Sequence, residues 1–100
     1  MSNRLVPRQR FRSDYMNALE YCVDYGGTLA ANKLEASVSN ACELLAMFPL
    51  MHQFSNNRKL ADREIRECNF DTWKILYKVE GADVILLRLL HQKQNIETKV

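Results

Sequence analysis

The sequence predicts an α+β fold: a short N-terminal strand, then an antiparallel helical hairpin packed on a small, mostly antiparallel sheet, in the order β-α-α-β-β-β. Three observations carry this. Apolar residues recur at helical spacing as far as Phe48, the pattern shifts to strand-like runs from Ile65 onward, and glycine or proline marks the changes of direction. At 100 residues, 47% apolar and 26% charged, the chain has the length and balance of one globular domain, 1–100, with a polar tail over 92–100.

Asn3 to Gln9 reads as the short strand, and Pro7 near its end excludes a central, fully paired position there. From Ser13 to Tyr25 the apolar positions Tyr15, Met16, Leu19, Cys22 and Val23 fall on one helix face, with Ser13 as the expected N-cap. Gly26-Gly27 stops this helix, because glycine readily takes the left-handed cap conformation. Thr28 caps a second helix, whose stripe is Leu34, Val38, Ala41, Leu45 and Phe48, and Pro49 ends it by lacking an amide donor. Two helices joined through Gly-Gly bury their stripes against each other as a hairpin.

Residues 50–63 ("LMHQFSNNRKLADR") form a long connection with room for a helical turn. Three strands follow: Ile65 to Phe70; Trp73 to Glu80, rich in aromatic and β-branched residues; and Val84 to Leu90. Asp71-Thr72 and Gly81-Ala82-Asp83 are the turns. The last strand is nearly all apolar, so it is expected to be central and buried on both faces.

Net charge is only +2, but it is unevenly spread. Residues 1–13 hold four arginines and no acid; residues 14–50 hold five acids against Lys33; residues 51–66 hold four bases against Asp62 and Glu64. If the chain folds back, both basic segments flank one surface and favour an anionic partner or an acidic protein; otherwise they are solvated surface. The N-terminus has no apolar export region and no stretch is long enough to span a membrane, which points to the cytoplasm. Cys22, Cys42 and Cys68 match no zinc or redox spacing, so they are expected to be reduced, mostly buried thiols; no metal or cofactor is implied.

Two segments carry a family resemblance. "ACELLAMFP" (Ala41–Pro49) looks like the close of the second helix in the RelE/ParE superfamily of bacterial type II toxins. "IRECNFDTWKILYKVEGADVILLRLLHQKQN" (Ile65–Asn95) looks like the family's three-strand meander: an arginine opens the first strand, the middle strand reads like "Y-x-I-x-Y-x-V" and the last ends in "R-x-L-H". The resemblance covers residues 3–95, and the helical hairpin and the "L-H-Q-K-Q-N" ending look closer to the ParE branch. It implies a growth-inhibiting toxin encoded beside an antitoxin. The antitoxin would be a small, acidic-tailed chain that adds an amphipathic helix across the hairpin or a strand to the sheet edge. ParE-like members poison DNA gyrase without hydrolysis; RelE-like members cut messenger RNA, usually on the ribosome. A third possibility is a relative that keeps the fold as an interaction module without toxicity.

If the chain is a ribonuclease, the candidate catalytic residues are Arg66, Arg88 and His91. Arg66 opens its strand and would neutralise the scissile phosphate, or else serves as a surface or ion-paired arginine. Arg88 is a charge within "VILLRLL"; it either faces an open sheet surface or is buried beside an acid such as Glu67. His91 is suited to proton transfer, but three residues from Arg88 it lies on the opposite nominal face, unless a bulge intervenes. Lys59, Arg63, Lys74 and Lys93 are the candidate target or nucleic-acid contacts. Tyr77 shares its face with Trp73, Ile75 and Val79 and reads as core. Two features depart from the ribonuclease pattern: no tyrosine follows Tyr77, and a net charge of +2 is low for binding ribosomal RNA.

Overall fold

The computed structural model describes residues 3–92. Its elements are β1 (Arg4–Pro7), α1 (Gln9–Met47), α2 (Arg58–Asp62), β2 (Arg66–Phe70), β3 (Trp73–Glu80) and β4 (Asp83–His91). The polar tail expected beyond Gln92 lies outside the described residues.

The helical hairpin is present as one run, α1, broken at a single residue. Gly27 takes φ 77° and ψ −175°, a conformation essentially reserved for glycine, and splits α1 into arms over 9–26 and 28–47. Gly26 stays helical, where an added Cβ would stand 2.7 Å from the Ala30 Cβ. The arms fold back on one another, since Phe11 and Ala18 of the first share a core with Leu34, Val38, Ala41 and Leu45 of the second. The first arm begins at Gln9, not after Ser13. Arg8 is still extended and gives its amide to the Leu86 carbonyl (2.9 Å), and the helix starts once that strand bond is made. Ser13, a capping type by sequence, therefore lies inside the helix. At the other end the Phe48 amide bonds the Leu44 carbonyl (2.8 Å), and Pro49 offers no donor to continue.

The sheet has the order β1-β4-β3-β2, with β1 parallel to β4 and the other pairings antiparallel. β4 is central, as its apolar run demands. Pro7 sits on the edge strand: the Arg4 and Arg8 amides donate inward to Ala82 and Leu86, so by alternation Leu5 and Pro7 turn their backbone groups outward. Ile75, Tyr77, Val84, Leu86 and Leu89 pack beneath the helical arms. On the opposite face Leu76 and Leu90 meet Leu60 of α2 and Ile65. Gly81 takes φ 59° at the first position of the two-residue β3–β4 loop. A bulge interrupts that pairing: Tyr77 faces Leu86 while Leu76 faces Arg88, leaving Leu87 as the extra residue.

The connection from Leu50 folds against β2 and closes in one helical turn, α2. The Asn57 side chain caps α2 through the Leu60 amide (3.2 Å). Ser55, which is buried, donates its hydroxyl to the Glu67 carboxylate and accepts the Asn57 amide (3.0 Å). The bridge of Phe54 to Arg66 and the bond from the Ser55 amide to the Ile65 carbonyl (2.8 Å) cover the start of β2.

Candidate functional site

Arg88 is buried and paired, but its partner is Asp14 rather than Glu67. Its Nε lies 2.6 Å and its Nη2 2.9 Å from the two Asp14 carboxylate oxygens, a bidentate pair. Asp14 also accepts the Leu89 amide (3.0 Å). β1 ends at Pro7, so the upper half of β4 lacks a neighbouring strand on that side, and the Asp14 carboxylate from α1 takes the place of the missing acceptor. Glu67 is instead engaged by Ser55.

His91 pairs across the sheet with Trp73, ring against ring at 5.5 Å and 73°. The bulge precedes Arg88, so it leaves the parity of Arg88 and His91 unchanged and their side chains start on opposite faces. They nonetheless border one open cleft of about 640 Å³, with Asp14, Tyr21, Trp73 and Leu89, because the Arg88 guanidinium wraps around the edge of β4 to reach Asp14.

Arg66 stands elsewhere. It lies opposite Tyr77 on the helix-facing side, four positions along β3 from Trp73, which is roughly 13 Å at strand rise. Its Nη1 donates to the His52 carbonyl (2.6 Å) and its guanidinium lies 4.5 Å from the centre of the Phe54 ring, so it pins the connection onto β2. Arg66, Arg88 and His91 therefore do not converge on one site.

Beside Arg66, Tyr77 is wholly buried and donates its hydroxyl to the Pro49 carbonyl (2.9 Å). Burial pushes its phenol up to about 12. Burial also lowers the His52 imidazole and lifts the Cys68 thiol to about 11, which leaves Cys68 inert. All three cysteines are free, Cys68 buried and the others half-buried.

The proposed target contacts scatter. Lys74 is buried, with Nζ on the Gln92 carbonyl (3.2 Å). Lys59 is exposed on α2. Arg63 is exposed at the end of α2, in a cleft with Arg8 and Arg10 that no motif in the sequence marks out. Lys93 lies outside the described residues.

An open cleft of about 940 Å³ lies between the two arms. Its walls are mainly apolar (Phe11, Tyr15, Met16, Val38), and Leu5 and Pro7 of β1 with Leu86 of β4 form its floor. Burial, with Glu35 and Cys42 nearby, raises the Tyr15 phenol. Met16 in its wall stays 61% exposed; beside the Gly27 break, Tyr25, stacked on Tyr21, and Leu29 are exposed as well. The stripes read from the sequence signalled helix packing, but not that the arms splay enough to leave this cleft. Among the described residues no group of three or more His, Cys, Asp or Glu is arranged to hold a metal, and no helix is long and apolar enough to cross a membrane.

The family model of the ParE toxin of the type II toxin-antitoxin system, parDE, matches residues 5–96. A chain of the chromosomal ParDE toxin-antitoxin system from P. aeruginosa has the same fold, with TM-score 0.74, 14% identity, and coverage of 90% of this chain and 96% of that one. A chain of the RelBE2 toxin-antitoxin complex from Mycobacterium tuberculosis superposes at TM-score 0.60, with 18% identity over 91% of this chain and 99% of that one. A conserved hypothetical protein from Helicobacter pylori gives TM-score 0.60, with 18% identity over 92% and 97%. No curated protein matches the sequence significantly.

Proposed function

The chain belongs to the ParE family of type II toxin-antitoxin toxins, and from that premise we propose that it stops growth in the cytoplasm by binding and poisoning DNA gyrase. The observation that supports binding over hydrolysis is the separation of Arg66 from Arg88 and His91. Cleavage of RNA needs a phosphate-neutralising group beside a base and an acid. Here Arg66 is committed to the His52 carbonyl under the helical arms, while Arg88 is committed to Asp14 at the far edge of the sheet.

A cognate antitoxin neutralises the toxin by occupying the cleft between the arms. That cleft is apolar and opens beside the outer edge of β1, which has no further strand among the described residues. It suits an amphipathic helix laid between the arms, or a strand added to β1. The exposed Met16 lines that cleft and lies in the area such a partner would cover.

The test is a supercoiling assay with purified toxin. The expected result is loss of gyrase supercoiling that rises with toxin and is reversed by the antitoxin. Unaffected gyrase across that range overturns the proposal. A second reading, as an RNA endonuclease, draws on the one cleft where His91 meets the Arg88–Asp14 pair. It predicts transcript cleavage on induction that His91→Ala abolishes; intact transcripts during growth arrest exclude it.

A further inference from the structure

The face of the sheet turned away from the helical arms carries a different kind of surface. The basic N-terminal segment and the basic connection, separated in sequence by an acidic stretch, meet there in an open cleft of about 330 Å³. Arg8 and Arg10 enter from the β1–α1 junction, Arg63 from the end of α2, and Arg88 from just past the Leu87 bulge. We infer that this four-arginine cleft binds the phosphodiester backbone of a nucleic acid.

The charges there are not internally balanced. Arg88 has Asp14, which fixes its position. Arg8, Arg10 and Arg63 are exposed, and none forms an ion pair among the described residues. Asp62 and Glu64 flank Arg63 in sequence, yet neither lines the cleft. Like charges gathered this way repel unless an anion joins them. Arg8 is also the N-cap of α1, with no side-chain capping bond and no acid in the first turn, so the positive end of the helix adds to the same field.

The residue type narrows the ligand. The three exposed cations are all arginines, whose planar forks match phosphate oxygens two at a time, while the fork of Arg88 is held by Asp14. The only large apolar side chain in the lining is Leu87, so a protein partner would find little to bury, in contrast to the cleft between the arms. Several uncompensated guanidinium groups favour a polyanion of repeating charge, and phosphodiester contacts of this kind position a chain without reading its sequence.

The experiment uses the purified full-length toxin with no gyrase present, so its failure is separable from that of the supercoiling assay. A fluorescein-labelled short DNA duplex and a labelled single-stranded RNA are titrated by anisotropy over a salt series. Affinity should fall linearly on log–log axes. Each of Arg8→Gln, Arg10→Gln and Arg63→Gln should reduce the slope by about 0.9 on the duplex or about 0.7 on the single strand. The corresponding lysine variants should keep the slope and bind more weakly, and Arg12→Gln, which faces the other cleft, should leave it unchanged. Thermal melts identify any variant that fails to fold, and its lysine counterpart then reports on that position. The better-bound probe identifies the source of the phosphate. Slopes untouched by all three glutamine variants overturn the inference. So does a polyglutamate peptide that binds as tightly as either nucleic acid with the same dependence on the three arginines.

Discussion

Arg88 and Asp14 sit 74 residues apart in sequence and almost out of contact with water, with side chains 10% and 16% exposed. The two are not equivalent. Removing the carboxylate by Asp14→Ala takes the bidentate acceptor from a buried guanidinium and leaves the Leu89 amide without its acceptor. Removing the arginine by Arg88→Met leaves a carboxylate that still accepts that amide. Denaturant unfolding should therefore show Asp14→Ala losing about 3 kcal/mol or more, and Arg88→Met losing less. Equal losses well under about 1 kcal/mol would class the pair with ordinary surface ion pairs. The sequence left Arg88 either facing an open sheet surface or buried beside an acid. It could not choose among the twelve in the chain, because a partner on a distant helix leaves no spacing signal. Tyr77 was legible as core from strand parity alone, but its bond to Pro49 was not. Its phenol ionises near 10 when unfolded and at about 12 when folded. A raised folded value means that its contribution to stability is full below about pH 10 and is lost as pH climbs through 12. Melting curves across that window should fall more steeply for the native chain than for Tyr77→Phe. The variant should start about 1 kcal/mol lower, having left the Pro49 carbonyl unbonded.

At the level of elements, the Gly-Gly pair was readable as the corner of the hairpin, while the division of labour inside it was not. Gly27 has nothing within 4 Å of where a Cβ would stand, so the demand on it is purely conformational. Gly26 has the opposite constraint, space taken by Ala30. Gly27→Ala should cost about 1–3 kcal/mol whatever its neighbours are. Gly26→Ala should be costly in the native chain and nearly free in an Ala30→Gly background, and thermal melts of the single and double variants test both statements. A rescue of Gly27→Ala by Ala30→Gly would contradict this account. The helix start shows the converse limit: Ser13 is a good capping type, yet the pairing of Arg8 with Leu86 sets the boundary earlier, because tertiary hydrogen bonds outweigh a local preference.

For the molecule as a whole, the strands, their turns and the burial of β4 follow from periodicity, since alternation and glycine placement act locally. The pairing of β1 with β4 in parallel does not, because nothing in either segment's pattern names its neighbour. Nor does the assignment of surfaces: an apolar cleft between the arms on one side and an arginine cleft on the other arise only when segments distant in sequence are brought together. That arrangement gives the chain two clefts of opposite character, one mainly apolar and one lined by arginines.

The parallel pairing of β1 with β4 also bears on the toxin's biosynthesis. Arg4 meets Asp83 across 79 residues, so the first strand to leave the ribosome has no partner until the β3–β4 hairpin has followed it out. The helical arms emerge in the meantime with their apolar stripes uncovered, since the sheet face they rest on is made last. A topology closed by so distant a contact folds after translation rather than during it. The clefts that take Leu86 and Arg88 into their linings therefore come into being only once β4 is in place.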